Sequence, residues 1–72
     1  MKTTEILELL KENESIEMET QDHLLTIWFK KFFGNEREFL FQLNGKAVSG
    51  CKTEKTALKK IQSFLNEGFE II

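Results

Sequence analysis

Residues 24–43 read LLTIWFKKFFGNEREFLFQL and hold the only tryptophan and five of the seven phenylalanines in a chain of 72 residues. Two apolar runs flank Gly34-Asn35, a dipeptide that supplies positive φ cheaply in a two-residue hairpin turn. Counting outward from that turn pairs Lys31 with Glu38, Lys30 with Phe39, Phe29 with Leu40 and Trp28 with Phe41. The opposite charges of Lys31 and Glu38 favour this register, and a one-residue slip would turn one strand over. In the first strand Leu25, Ile27 and Phe29 share a face, with Leu24, Thr26 and Trp28 on the other. In the second, Phe39, Phe41 and Leu43 alternate with Leu40 and Gln42.

Upstream of the hairpin, Thr3 or Thr4 is a candidate cap for a helix whose apolar positions are Ile6, Leu9 and Leu10, with Leu7 at the margin. It is expected to stop near Asn13, a residue that tolerates the left-handed conformation. From Ser15 the period changes to two: Ile16, Met18 and Thr20 alternate with Glu17, Glu19 and Gln21, and the glutamates suit an edge strand. Gln21-Asp22-His23 forms the turn into the aromatic stretch. Downstream, Asn44-Gly45 is a second hairpin signal, returning Lys46 to Ser49 as a short strand before a break at Gly50. Thr53 caps a second helix with the core stripe Ala57, Leu58, Ile61, Phe64 and Leu65, which Asn66 and Gly68 end. Phe69-Glu70-Ile71-Ile72 follows, as a last strand or an intermolecular anchor. The expected fold is a single α+β domain over residues 1–72, a two-layer sandwich in α-β-β-β(-β)-α order. Its three- or four-stranded antiparallel sheet is packed by two helices, with room for a short C-terminal strand.

A chain this short is near the lower limit for a core without disulfides or metal, although each aromatic side chain can bury roughly 150–250 Å². A homodimer would bury more. Lone Cys51 forms no internal disulfide, which suits a reducing cytoplasm. No apolar run approaches the roughly 20 residues of a membrane span, and Met1-Lys2 leads into an amphipathic pattern unlike a signal peptide. A soluble, cytoplasmic protein is the expectation. Net charge is −2, unevenly spread. Residues 1–22 carry Glu5, Glu8, Glu12, Glu14, Glu17, Glu19 and Asp22 against Lys2 and Lys11, whereas residues 23–62 carry eight bases against Glu36, Glu38 and Glu54. The two regions either neutralise each other on folding or give the molecule an acidic and a basic face.

Signs of chemistry are scarce. His23, at a strand–turn junction, reads as a surface polar residue rather than a base. A helix N-terminus and Lys52 would lower the thiol pKa of Cys51, but burial as a structural cysteine is the weightier reading. Glu12, Glu14, Glu17 and Glu19 lack the spacing of a calcium loop, and there is no phosphate-binding glycine loop, zinc spacing or serine elbow. Neither catalysis, cofactor, metal nor small-molecule substrate is expected.

Two binding readings remain. In the preferred one the hairpin has more large apolar side chains than one sheet face needs, so Trp28 with some of Phe32, Phe33 and Leu40 stays at the surface as an interface anchor. Lys30, Lys31 and Arg37 would rim that anchor. The partner is a second protein or a second copy of the chain, with a C2 dimer the commonest arrangement. The short, proline-free, Lys/Glu/Phe/Asn-rich composition is similar to that of small accessory proteins of low-GC bacteria and their phages. That similarity implies a regulator or inhibitor that occupies the binding surface of a host macromolecule.

The alternative is a nucleic-acid module. The order helix, three strands, helix, together with Thr53-Glu54-Lys55-Thr56-Ala57-Leu58-Lys59-Lys60, resembles the double-stranded-RNA-binding domain over most of the chain. Thr53, Lys55 and Ala57 fall where that family has its cap, second lysine and alanine; Glu54 and Leu58 stand where it has further lysines. The resemblance implies phosphate contacts by lysines at the helix start, here Lys52, Lys55, Lys59 and Lys60. Against this, the acidic first helix and strand would repel phosphates.

Overall fold

The central hairpin forms one residue out of the register that its turn dipeptide suggests. In the computed structural model, which describes residues 2–31, Gly34 and residues 36–72, β2 (Leu24–Lys30) pairs with β3 (Glu38–Leu43). Lys30 lies opposite Glu38, Phe29 opposite Phe39, Trp28 opposite Leu40 and Ile27 opposite Phe41. The pairings of Lys31 with Glu38, Lys30 with Phe39, Phe29 with Leu40 and Trp28 with Phe41 are therefore corrected. The two strands are joined by residues 31–37, an odd-numbered link where the tight turn would have placed two residues. Asn35, with Phe32 and Phe33, lies outside the described residues. Burial explains why the local signal loses. The observed register puts Leu25, Ile27, Phe29, Phe39, Phe41 and Leu43 on one face, and Phe29 stacks on Phe39 with ring centroids 4.3 Å apart. The turn-derived register would set Phe29 against Leu40 and send half of this apolar set into water.

The flanking elements are α1 (Thr3–Asn13), β1 (Ser15–Glu19), β4 (Lys46–Cys51), α2 (Glu54–Asn66) and β5 (Glu70–Ile71). All five strands join one antiparallel sheet in the order β4-β3-β2-β1-β5. Both helices lie on its apolar face, so the chain is the expected α+β two-layer sandwich with one more strand between the helices than the minimum and a fifth after them. Met18, Leu25, Ile27, Phe39, Phe41, Ile6, Leu10, Ala57 and Ile61 are sealed in the layer between helices and sheet. The helices run antiparallel. Thr3 Oγ1 donates to Gln62 Oε1 over 2.6 Å at one end, and Lys11 pairs with Glu54 at the other.

Several local expectations change in this context. The N-cap of α1 is Lys2, with no side-chain hydrogen bond; Thr3 is used across the helix interface instead of as a cap. The buried stripe is Ile6, Leu7 and Leu10, with Leu9 only half-buried beside Glu5, Glu8 and Glu12, because the groove to α2 selects the i, i+3, i+4 row that starts at Thr3. Glu14 rather than Asn13 takes the left-handed position (φ 65), while Asn13 Nδ2 donates to the Leu9 carbonyl. β1 is not an edge: Met18 pairs with Ile71 and Glu19 with Glu70 on its far side. β4 runs through Gly50 to Cys51, since Leu40 and Phe39 of β3 continue to offer it partners.

Other signals act as their local chemistry dictates. Asn44 (φ 52) and Gly45 (φ 87) both take the positive φ of a two-residue hairpin turn that pairs Leu43 with Lys46. Thr53 caps α2, its hydroxyl accepting the Thr56 amide at 3.3 Å. At the other end Gly68 (φ 100) closes a Schellman motif: its amide donates to Leu65 O at 3.0 Å and that of Phe69 to Phe64 O at 3.1 Å. The motif turns Phe69 into the core edge-on to Phe64, 5.3 Å between centroids, and delivers β5 to β1. Gly68→Ala forces a side chain into left-handed backbone and is expected to cost about 1 kcal/mol in urea unfolding. A neutral result would mean that the tail docks without the motif.

Candidate functional site

With both helices on one side, the strand residues of opposite parity form a sheet face that no other element among the described residues covers. The register lays it out in rows. Lys30 and Glu38 face each other, with Lys52 ion-paired to Glu38 at 3.8 Å. Next come Ser15, Trp28, Leu40 and Gly50 across β1, β2, β3 and β4, then Glu17, Thr26, Gln42 and Ala47. Glu19 and Glu70 oppose each other beside Leu24 in the last row. The apolar content is concentrated at Trp28 and Leu40, both half-buried, with Leu24 38% exposed below them and Val48 54% exposed in a bulge of β4.

Trp28 is held in place. Its Nε1 donates to Gln42 Oε1 at 2.6 Å, one row along on the neighbouring strand, and the Lys30 ammonium lies 4.4 Å from the centre of its ring system. These contacts fix the indole orientation while leaving part of its surface to solvent. Beside Leu40 the small residues Gly50 and Ala47 leave a concavity of about 560 Å³, lined also by Glu38, Phe39, Cys51 and Lys52. A Cβ at Gly50 would stand 3.4 Å from Phe39 O and 3.9 Å from Leu40 Cδ1, so the missing side chain leaves the flank of Leu40 bare.

The anchor residues expected from sequence divide between locations. Trp28 and Lys30 share the open face, and Lys31 is exposed just beyond β2. Phe32 and Phe33 lie outside the described residues. Arg37 sits on the opposite side of the sheet, its guanidinium carbon 3.9 Å from the centre of the Phe29 ring and its Nη2 donating to Phe29 O (3.1 Å) and Lys11 O (3.3 Å). There it seals the end of the core against α1, so its expected place in a rim around Trp28 is corrected. The parity of β2 was enough to place Leu24 and Thr26 with Trp28; Gln42, Ala47 and Gly50 join them only through the observed pairing.

The lysines that resemble an RNA-binding set do not converge. Lys55 and Lys59 are exposed one turn apart on α2. Lys60 Nζ instead donates to Ser49 Oγ at 2.5 Å, and Lys52 pairs with Glu38. The resemblance implied three strands between the helices; the described residues form four, and a fifth after α2.

Other reactive groups have structural roles. Asn44 Nδ2 donates to His23 Nδ1 at 3.0 Å, and Asn44 Oδ1 accepts the Leu24 amide at 2.9 Å, so His23 belongs to the clasp where two turns meet. Cys51 is half-buried; burial pushes its thiol pKa up, against a smaller opposing effect of Lys60. Desolvation thus outweighs the opposing charge of Lys60. Alkylation of Cys51 by iodoacetamide at about pH 8 is expected to be slower than that of a free cysteine peptide, and an equal or faster rate would contradict the burial. Because the folded thiol titrates above the unfolded one, its contribution to stability is complete below the unfolded pKa and disappears as pH rises through the folded pKa. Among the described residues, no group of three or more His, Cys, Asp or Glu side chains is placed to hold a metal ion, and no helix is long and apolar enough to cross a membrane.

Comparison with protein-family models, curated proteins and solved structures finds no match to this chain. The chemistry of the open face carries the functional reading.

Proposed function

We propose that the chain is a non-enzymatic protein-binding module whose interface is the open sheet face centred on Trp28 and Leu40. One observation carries this reading: a tryptophan fixed by Gln42 and Lys30 stands partly exposed in a sheet face that both helices leave bare. Tryptophan is the side chain most often responsible for interface energy, and an indole already held in one orientation loses little rotamer freedom on binding. The surrounding Thr26, Gln42, Glu17 and Lys30 supply the polar rim that keeps such an anchor soluble when free. A module of this kind regulates or inhibits by occupying a surface of its partner.

The test sets the sheet face against α2. Partner capture by the wild-type protein is compared with capture by Trp28→Ala and by the double variant Lys55→Glu/Lys59→Glu. Loss of the captured protein with Trp28→Ala and its retention with the lysine variant support the reading. The reverse pattern moves the interface to α2, and a mobility shift of duplex RNA at low salt that the lysine variant abolishes would establish the nucleic-acid alternative. No such shift is expected, given the acidic helix and strand and the hydrogen bond that holds Lys60 to Ser49.

A further inference from the structure

The open face is electrically lopsided. One corner holds Lys30 and Lys52 around a single Glu38, and the diagonally opposite corner holds Glu17, Glu19 and Glu70. Glu19 and Glu70 are direct cross-strand partners, and like charges in that position weaken the ladder unless a cation comes between them. The apolar row of Trp28 and Leu40 runs between the corners.

We infer that the partner of this face is a second copy of the same chain, packed face to face about a two-fold axis lying in the plane of the interface and oblique to the strands. This rests on the reading of the open face as a protein interface. An oblique in-plane axis exchanges the lysine corner with the glutamate corner and keeps the other two corners on itself. Lys30 and Lys52 of each copy then meet Glu17 and Glu19 of the other, Leu40 meets Thr26, and Trp28 lies near the axis against its own copy. The strands of the two sheets cross steeply, as in orthogonal sheet packing. An isologous contact needs a surface complementary to itself, and separation of opposite charges across an apolar centre supplies that property. The sheet edges are poorer routes to a dimer. β4 is bulged and begins at Lys46, and β5 is two residues long and begins at Glu70, devices that oppose edge-to-edge pairing.

Strands about 4.8 Å apart and rows about 6.8 Å apart give a face of roughly 500 Å². Two such faces bury roughly 1,000 Å², the lower end for a specific interface. The dimer is accordingly weak and sensitive to salt.

Sedimentation equilibrium of the full chain from about 10 μM to about 1 mM tests this. The average mass should rise from one chain towards two, and about 0.5 M salt should weaken association about tenfold. Glu17→Lys/Glu19→Lys and Lys30→Glu/Lys52→Glu should each remain monomeric, while an equimolar mixture of the two dimerises. A wild-type chain that stays monomeric throughout overturns the inference, as does a dimer indifferent to both charge reversals. If the variants fold poorly, wild type decides the matter: a mixed labelled and unlabelled sample should give an intermolecular NOE between the Leu40 and Thr26 methyls. A dimer lacking that contact also overturns the inference. Monomeric behaviour leaves the protein-binding reading standing, because that reading is judged by loss of a captured partner on Trp28→Ala.

Discussion

Phe41→Ala is expected to leave much of the chain unfolded at room temperature. Phe41 is fully enclosed in the middle of β3, opposite Ile27 on one side and Ser49 on the other, with its ring 6.0 Å from that of Phe64 on α2. It is therefore the side chain through which the central hairpin and the second helix share a core. Emptying a buried phenylalanine site costs about 3–5 kcal/mol, and a domain of this size has roughly 4–11 kcal/mol in total. Phe41→Leu keeps most of the volume and should cost about 1–1.5 kcal/mol. Urea unfolding followed by circular dichroism checks both. A loss below about 1 kcal/mol for the alanine variant would mean that α2 and the sheet do not depend on this contact.

Trp28→Ala should separate binding from stability. The indole is on the uncovered side of the same strand pair, and its removal forfeits one hydrogen bond to Gln42 and the Lys30 contact without opening a cavity in the core. About 1 kcal/mol of stability is at stake. For an anchoring tryptophan the loss in binding is about 2 kcal/mol or more, roughly 30-fold in Kd. Titration calorimetry or the concentration dependence of association measures the second quantity, and thermal unfolding the first. A variant that binds as wild type would remove the sheet face as the interface. A variant that unfolds would show instead that Trp28 supports the monomer.

Legibility of the fold followed the range of the forces involved. The second helix could be read nearly in full: the Thr53 cap, the Ala57–Ile61 stripe and the positive φ of Gly68 depend on residues within a turn of one another. The Asn44-Gly45 turn was equally legible, because both residues adopt positive φ at low cost. The register of the central hairpin was not. There a favourable local dipeptide competed with the burial of six apolar side chains on one face, and the larger nonlocal energy prevailed. The same competition gave Leu7 the buried position expected of Leu9 and drew Thr3 into a contact with Gln62. Arg37 was misplaced for a related reason: a cationic side chain beside aromatic residues suits a binding rim and a core seal equally, and only the position of the Lys11 and Phe29 carbonyls distinguishes them.

By itself the order of the residues determined two amphipathic helices around antiparallel strands, and it placed Leu24, Thr26 and Trp28 on one side of a strand and Leu25, Ile27 and Phe29 on the other. Periodicity, caps and turn residues act over a few neighbours and need no distant partner. Which of those two sides would be covered was decided only in the tertiary structure. Both were apolar enough to attract a helix, and the choice went to the face on which the register gathers Phe29, Phe39 and Phe41 under α1 and α2. Trp28 was left uncovered because the helices' larger apolar burial lay on the opposite face.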